Sequence, residues 1–272
     1  MYLDYYGLRD EPFSITPDPR LIFFTARHRE AMDHLLYGIR ARKGFIQITG
    51  EVGSGKTTLC RALLEQLDPE RYRTALVLNP CLTPKELLRT ILAELGLEPG
   101  LECDRVALIE QLNRYLLAEF HAGRDVVLII DEAQDMTADL LEQVRLLSNL
   151  ETDQRKLLQI VLVGQPELRD KLERPELRQL RQRILVRYHL TPLRADEMAA
   201  YIQHRLSLCG LKKPLRFASS ALRRMYRYTG GTPRLINAVC DRTLLLGYVE
   251  GVDSFGRRQV NRAIRELEGD FG

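Results

Sequence analysis

A glycine-rich segment carries the clearest chemical signal in this sequence of 272 residues. Residues 50–57 read Gly-Glu-Val-Gly-Ser-Gly-Lys-Thr, which fits the pattern GxxxxGK[ST]. Glycines let backbone N–H groups turn inward around phosphates, the lysine neutralises phosphate oxygens, and the last hydroxyl is suited to Mg²⁺. The segment predicts a phosphate-binding loop rather than an ordinary glycine-rich turn. The expected contacts are Gly50, Glu51, Val52, Gly53, Ser54, Gly55, Lys56, Thr57 and Thr58, with Lys56 as the catalytic cation and Thr57 as a metal ligand.

Two adjacent carboxylates follow the apolar run Val126–Ile130. Such a run is typical of a strand buried on both faces of a parallel sheet, where a carboxylate without a partner is costly. Mg²⁺ held through Asp131 would remove that cost, leaving Glu132 to act as the base that activates the attacking water. Asn79, at the end of another strand, is expected beside this site, where it could hold Glu132 in an inactive orientation. A solvent-exposed strand end is the alternative interpretation of the acidic pair.

Two further polar residues stand where ligands are usually bound. Gln165 follows the apolar run Leu158–Gly164, and open α/β sheets place ligands at the carboxyl ends of strands. Its amide could position the attacking water, although a plain loop residue is the alternative. Arg234 lies in the first turn of a helix opened by Thr232-Pro233, where a cation opposes the helix dipole. That unfavourable position suggests that Arg234 faces an anion such as the γ-phosphate, unless it is merely a tolerated surface arginine.

These residues need a sheet to position them, and apolar runs predict five strands. The predicted strands are Phe45–Thr49, Thr74–Asn79, Val126–Ile130, Leu158–Gly164 and Ile184–Leu190. Helices are expected between them at Thr58–Leu67, Lys85–Leu95 and Ala138–Leu150. Alternating strands and helices indicate an α/β fold with a parallel sheet.

Beyond residue 192 the sequence predicts helices alone, at Asp196–Cys209, Ser220–Tyr228 and Pro233–Tyr248. Glycines at positions 210, 230 and 251 are suited to ending them. The expected domains are therefore 1–192, the nucleotide-binding domain with residues 1–43 as an N-terminal segment, and 193–272, a helical lid.

Composition excludes several classes of protein. The longest apolar runs are far shorter than the roughly 20 residues of a membrane-spanning helix. The charged N-terminus does not fit a secretory signal, so a cytoplasmic protein is expected. The five cysteines show no metal-binding or CxxC spacing and are expected to be reduced thiols. A net charge of +3 is weak evidence for a nucleic-acid partner.

Several segments together resemble the general secretion pathway A (ExeA) type of AAA+ ATPase, a group with pilus-biogenesis and exosortase-associated relatives. The resemblance covers nearly the whole length. The matching segments are Tyr6-Gly7-Leu8 with Pro12-Phe13, Thr16-Pro17-Asp18-Pro19, Thr49–Gly53, Asp131-Glu132-Ala133-Gln134, Leu146–Thr152, Val163–Leu168 and Gly231-Thr232-Pro233-Arg234.

The resemblance implies a sheet of order 5-1-4-3-2, ATP with Mg²⁺ as ligands, and self-assembly into a ring-like homo-oligomer. It further implies Gln165 as sensor 1, Arg234 as sensor 2, and Pro12, Phe13 and the His28 region beside the adenine. Arg183 would be the arginine finger, pointing outward toward a neighbouring subunit, with Arg178 and Arg181 as rivals or as part of a solvated basic patch. The secretion members' membrane span and peptidoglycan-binding domain have no counterpart in this sequence.

Three functions are compatible with these motifs. The leading expectation is a cytoplasmic ATPase, peripheral at the inner membrane through a partner at most, that energises or assembles a secretion, pilus or polysaccharide-export machine. The second is a DNA-acting ATP switch of the transposition-helper or initiator type, supported by a basic lid. Its basic residues are Lys212, Lys213, Arg216, Arg223, Arg224 and Arg227. A small-molecule kinase is disfavoured because no substrate-closing segment is recognisable and Asp131-Glu132 suits water activation.

Overall fold

The computed structural model describes residues 1–14, 19–151, 156–211 and 214–269. The chain divides into two compact units. One, here called the sheet unit, comprises residues 27–50 and 59–190. The other, here called the helical unit, comprises residues 1–26, 51–58 and 191–272. Three motif segments fall partly outside the described residues, at Thr16–Asp18, Thr152, and Lys212 with Lys213.

The sheet unit is organised around five parallel strands in the order β2-β3-β4-β1-β5. This is the 5-1-4-3-2 order expected from the family resemblance, read from the other edge, and that expectation is confirmed. The apolar runs form the buried central strands because helices cover both faces of a parallel sheet. The strands are β1 (Phe45–Gly50), β2 (Tyr72–Val77), β3 (Asp125–Ile130), β4 (Leu158–Gly164) and β5 (Ile184–Leu190).

Helices connect these strands and bury the apolar faces of the sheet in one core. Local capping defines several starts: the Thr83 hydroxyl accepts a hydrogen bond from Glu86 N (3.3 Å), and Thr137 accepts one from Leu140 N (3.2 Å). The helices are α2 (Ala26–Arg40), α3 (Lys56–Gln66), α4 (Pro84–Glu94), α5 (Arg105–His121), α6 (Ala138–Leu147), α7 (Pro166–Leu172) and α8 (Arg178–Arg183). Short 3₁₀ turns lie at Pro19–Leu21, Ala133–Asp135 and Pro175–Leu177.

The ends of β2 and α6 were predicted too late in the chain. β2 ends at Val77, two residues before the predicted end at Asn79, because its partner β3 ends at Ile130 and pairs with Val77. Ladder partners rather than the local apolar run determine where this strand stops. α6 ends at Leu147 rather than Leu150, and the Arg145 carbonyl near its end accepts from Arg183 of another segment.

α5 was not predicted, although its signal is present in the sequence. Leu108, Leu112 and Leu116 are fully buried and spaced four residues apart, and the Asp104 side chain caps the start by accepting from Ala107 N (2.8 Å). The missed helix adds the layer against which α4 packs.

The helical unit has a core of its own, built from both ends of the chain. Tyr6, Leu8 and Phe13 are buried among the C-terminal helices, and the Tyr6 hydroxyl donates to the Val252 carbonyl (2.9 Å). The elements are α1 (Tyr2–Tyr6), α9 (Ala195–Leu208), β6 (Arg216–Phe217), α10 (Ser219–Thr229), α11 (Pro233–Glu250), β7 (Ser254–Phe255) and α12 (Arg257–Leu267).

The expectation of helices alone after residue 192 was wrong, because β6 and β7 form a small parallel sheet and α12 adds a fourth helix. The helix ends at Gly210, Gly230 and Gly251 adopt the expected left-handed conformation. Residues 1–26 and 51–58 group with the lid helices rather than with the sheet. For the N-terminal segment the reason is that its apolar side chains are buried in the core of the helical unit. The sequence-based division at residue 192 stays a prediction.

Candidate nucleotide-binding site

The phosphate-binding loop joins β1 to α3, as its motif predicted. Gly53 and Gly55 have positive φ angles of 74° and 99°, a conformation that side-chain-bearing residues rarely adopt. Ser54 N donates to the Glu51 carbonyl (3.1 Å), which closes a tight turn. The loop therefore has the backbone geometry in which N–H groups converge on an anion.

Two buried polar side chains lie in this loop. Lys56 is only 5% exposed, and its Nζ donates to the Glu51 carbonyl (3.1 Å). Ser54 is 1% exposed, and its Oγ has no hydrogen-bond partner among the described residues. Buried polar groups normally form hydrogen bonds. The unpaired Ser54 hydroxyl and the buried Lys56 ammonium of the same loop are therefore chemically suited to bind phosphate oxygens.

Arg234 contacts the same loop within the helical unit. Its backbone N–H donates to the Gly53 carbonyl (3.3 Å), and a methyl group built on Gly53 would lie 2.5 Å from the Arg234 Cβ. The first turn of α11 therefore packs directly on the loop, and only glycine fits at position 53. The Arg234 side chain is exposed, so it is available to an anion held there.

The acidic pair lies at the carboxyl edge of the sheet. Asp131 is 2% exposed, its N–H donates to the Val77 carbonyl (2.8 Å), and its Oδ1 accepts from Glu132 N (2.9 Å). Gly50 and Gln165 stand at the same edge, since β1, β4 and β3 are parallel neighbours. The predicted juxtaposition of Asp131, Glu132 and Gln165 at one edge is present.

Glu132 is held by two amides. Its Oε2 accepts from Gln134 Nε2 (2.9 Å) and from Gln165 Nε2 (3.4 Å), and Gln134 Oε1 accepts from Gln165 N (2.9 Å). Glu132 also has φ 52° and ψ 37°, a left-handed conformation that costs a non-glycine residue roughly 1–2 kcal/mol. The fold thus holds the Glu132 backbone in a conformation that a non-glycine residue rarely adopts, and two amides hold its carboxylate.

Gln134 belongs to the motif Asp131-Glu132-Ala133-Gln134, but its hydrogen bond to Glu132 was not predicted from the sequence. It stands two residues after Glu132 in the 3₁₀ turn Ala133–Asp135, which Lys171 fixes by donating to the Gln134 and Met136 carbonyls. The proximity of an amide to an acidic pair in sequence was the available signal. The partner Lys171 comes from α7 and had no signal.

Asn79 was expected beside Glu132. β2 ends before it, so Asn79 lies in the following loop, where its Oδ1 accepts from Cys81 N (3.3 Å). The amides that bond the Glu132 carboxylate are those of Gln134 and Gln165. A regulatory contact of Asn79 with Glu132 stays a prediction.

Arg183 was expected to point outward and is instead bound within its own chain. Its Nη1 donates to Ser148 Oγ (2.6 Å), Asn149 Oδ1 (2.7 Å) and the Arg145 carbonyl (3.4 Å). A cation is favourable there because the carbonyls at the end of α6 carry partial negative charge. Of the two rivals, Arg181 pairs with Glu173, and Arg178 is exposed.

Of the residues predicted to border adenine, Pro12 and Phe13 belong to the helical unit and His28 belongs to the sheet unit. Phe13 is 2% exposed within its apolar core, and the Pro12 carbonyl accepts from Arg205 Nε. His28, on α2, is buried. Contact of these residues with adenine stays a prediction.

Some expectations from composition can also be checked. All five cysteines are among the described residues, and none forms a disulfide. Within residues 1–14, 19–151, 156–211 and 214–269, no helix combines the length and hydrophobicity needed to cross a membrane. The same described ranges contain no group of three His, Cys, Asp or Glu side chains arranged to hold a metal.

Comparison with known proteins supports the family resemblance. Residues 39–172 match the AAA domain. General secretion pathway protein A of Aeromonas hydrophila is 44% identical over 269 residues, which cover 99% of this chain and 49% of that protein. The chain therefore spans about half the length of this curated relative.

Several solved structures have a similar fold. The ORC2 protein of Aeropyrum pernix, in ADPNP–ADP complexes, superposes with a TM-score of 0.68 at 18% identity, covering 94% of this chain and 71% of that one. Drosophila ORC bound to DNA superposes with a TM-score of 0.71 at 17% identity, and the match covers 98% of this chain and 66% of that one. The Thermotoga maritima RuvB Holliday-junction branch-migration motor superposes with a TM-score of 0.58 at 18% identity, and the match covers 90% of this chain and 69% of that one. At these identities the likeness concerns the fold alone. The chain therefore carries an AAA domain and is similar over nearly its whole length to general secretion pathway protein A.

Proposed function

We propose that this protein binds ATP with Mg²⁺ and hydrolyses it. The observation that carries the proposal is the phosphate loop, with two left-handed glycines, the buried Lys56 and the orphaned Ser54 hydroxyl. Backbone N–H groups at the start of α3 would receive the phosphates, and Lys56 would exchange its bond to the Glu51 carbonyl for the phosphate oxygens. Residues 50–58 would make the contacts with the triphosphate.

Mg²⁺ fits the donor set of this chain. A nucleotide-bound Mg²⁺ takes one or two protein oxygens and completes its shell with water and phosphate, so no large cluster of carboxylates is required. The Thr57 hydroxyl and the Asp131 carboxylate would hold it. When bound, the ion neutralises charge on the phosphates.

Glu132 would act as the general base. Two amide hydrogen bonds hold the Glu132 carboxylate, and the same amide side chain of Gln165 could position the attacking water. Since the Gln134 side-chain oxygen also accepts from the Gln165 backbone N–H, the three residues form one hydrogen-bonded unit that would orient the base. Arg234, on the first turn of α11, would stabilise charge on the γ-phosphate.

The proposed place of action is an envelope machine. General secretion pathway protein A is named for secretion, and the similarity to it supports a cytoplasmic ATPase, peripheral at the inner membrane through a partner, that energises or assembles such a machine as a homo-oligomer. Within that oligomer Arg183 would serve as the arginine finger after leaving the end of α6. The proposed domains remain 1–192 and 193–272.

A DNA-acting switch is the second candidate, and one observation favours it. Helices α10 and α12 present exposed arginines at positions 223, 227, 257, 258 and 265, for which no ion pair is found in the described part of the chain. Arg216 is exposed as well. A solvated basic face is the ordinary alternative. Binding to duplex DNA that falls steeply with salt would support this function, because phosphate contacts release counterions.

Two substitutions test the proposed ATPase. Lys56→Ala is expected to abolish ATP binding, measured by calorimetry, because the phosphates lose their main point charge. Glu132→Gln is expected to keep ATP bound while stopping turnover, because the amide preserves the shape but cannot accept the proton. Wild-type affinity in the first variant, or turnover within about threefold of wild type in the second, contradicts the assignment.

The oligomer is tested by mixing variants. Specific ATPase activity is expected to rise with protein concentration, and Arg183→Ala is expected to remove the rise while ATP affinity stays nearly intact. An arginine finger is typically worth about 10³–10⁵ in rate. Mixing Arg183→Ala with Glu132→Gln should partly restore turnover, since one interface then combines an intact base with an intact finger. If the mixture stays inactive, either Arg178 or Arg181 is the arginine finger or no shared site exists. Mixing Arg178→Ala or Arg181→Ala with Glu132→Gln distinguishes these outcomes.

A further inference from the structure

A polar cleft lies on the sheet unit, between the strands β1 and β5 and the helices α7 and α8. Its volume is about 240 Å³. The cleft is lined by Gln47, Thr49, Arg169, Leu172, Glu173, Arg181, Arg187, Tyr188 and His189. All of these residues belong to the sheet unit, and none of them lies in the proposed phosphate-binding segment 50–58.

The charges that face this cleft are unbalanced. Three guanidinium groups meet a single carboxylate, that of Glu173, which pairs with Arg181. Arg187 donates to the Arg181 carbonyl (2.7 Å), and no carboxylate pairs with it among the described residues. Arg169 has only Asp170 at 3.8 Å, with both side chains largely exposed. Two positive charges are therefore left without strong partners around one small space.

The floor of the cleft is polar as well. Gln47 is 5% exposed, and its side chain lines the cleft. The neighbouring Thr49 Oγ1 lies 3.0 Å from His189 Nδ1, and this contact orients the imidazole ring, since Thr49 and His189 are paired across the strands β1 and β5. Inner positions of a parallel sheet are usually apolar, so a glutamine here that faces a cleft is suited to bind a polar ligand.

We propose that this cleft binds a small oxyanion, a compound that carries phosphate or carboxylate. Arginine side chains provide planar pairs of N–H donors that match both groups, and the Gln47 amide adds a donor from the floor. The cleft is smaller than the roughly 300–1,000 Å³ of pockets that enclose drug-sized ligands, so it suits a compact anion. This inference concerns a second site and does not rest on the proposed ATPase function.

The test uses site-resolved NMR on the full chain. Inorganic phosphate and citrate are titrated separately into isotope-labelled protein at constant ionic strength, because screening would otherwise change the arginine interactions. Saturable shifts at Gln47, Thr49, Arg187 and the His189 ring are expected. Signals from residues 50–57 report binding at the phosphate loop separately, so the two sites are distinguished. Shifts with phosphate alone identify a phosphate site, and shifts with citrate alone identify a carboxylate site.

Matched variants decide whether the arginines bind the anion. Arg187→Gln is expected to weaken binding at the cleft by roughly tenfold or more, since it removes a charge-assisted donor. Arg174→Gln is the control, because Arg174 is an exposed arginine of the same unit that does not line the cleft. It should bind within about twofold of wild type. Gln47→Leu should also weaken binding, and Arg187→Gln decides the matter if Gln47→Leu does not fold. The proposal is overturned if neither anion moves the cleft resonances, or if Arg187→Gln and Arg174→Gln bind equally well.

Discussion

Replacing Gly53 with alanine tests the contact between the phosphate loop and Arg234. Two penalties are expected in this variant: the left-handed φ of 74°, and a new methyl group 2.5 Å from the Arg234 Cβ and 3.2 Å from Thr232 Cγ2. Gly96→Ala is a matched control. Gly96 has a similar φ of 78°, but nothing lies within 4 Å of the methyl position.

The two penalties have different sizes. A left-handed alanine costs about 1–2 kcal/mol, which is the whole effect expected for Gly96→Ala. Ordinary contact begins near 3.4 Å, so Gly53→Ala must push Arg234 away by about 0.9 Å (3.4 − 2.5 Å). Overpacking of this kind adds about 1–3 kcal/mol, so the expected total is roughly 2–5 kcal/mol.

Urea unfolding of both variants measures the difference. A second variant, Arg234→Gly, removes the Cβ that the new methyl group would strike, so the double variant should lose less than the two single losses added together. The N-terminal turn of α11 would also move off the loop, and ATP affinity should fall in Gly53→Ala but not in Gly96→Ala. If Gly53→Ala is no less stable than Gly96→Ala, Arg234 does not pack on the loop as the geometry indicates.

Two further outcomes are expected. Gln134→Ala should lower the ATPase turnover number by roughly tenfold or more with little change in ATP affinity, because it removes a charge-assisted hydrogen bond from Glu132; an unchanged turnover number would show that Gln165 alone orients the base. Bonding to Arg124, with Arg73 nearby, lowers the pKa of Glu119 below its usual 4.5. Because the lowered pKa means that the folded state favours ionised Glu119, this carboxylate adds to the free energy of unfolding. The added stability is fully present above the usual pKa and is lost as the pH falls through the lowered pKa. The stability difference between wild type and Glu119→Gln, followed by urea unfolding, should therefore be largest at neutral pH and shrink under acid, and a pH-independent difference would contradict the pairing.

Local sequence patterns were sufficient for much of this protein. The bounds of β4 and β5 were predicted without error, because β4 is an apolar run that ends at Gly164 and β5 ends two residues before Pro192. The positions of the phosphate-loop motif, Asp131, Glu132 and Gln165 at the ends of strands were also predicted from the sequence. In a parallel sheet the carboxyl ends share one edge, so placing a residue after a strand places it near the others. The sheet order came from the family resemblance rather than from any local pattern.

Tertiary structure decided which side chains meet. Glu132 is bonded by Gln134 rather than by Asn79 because pairing with β3 ends β2 at Val77. Arg183 turns to the end of α6 because the side chains of Ser148 and Asn149 accept its hydrogen bonds there. The N-terminal segment joins the lid because its buried aromatic rings find an apolar core there. Each of these outcomes depends on a partner far away in sequence, and the packing and hydrogen-bonding energies that select such partners leave no periodic or local signal in the chain.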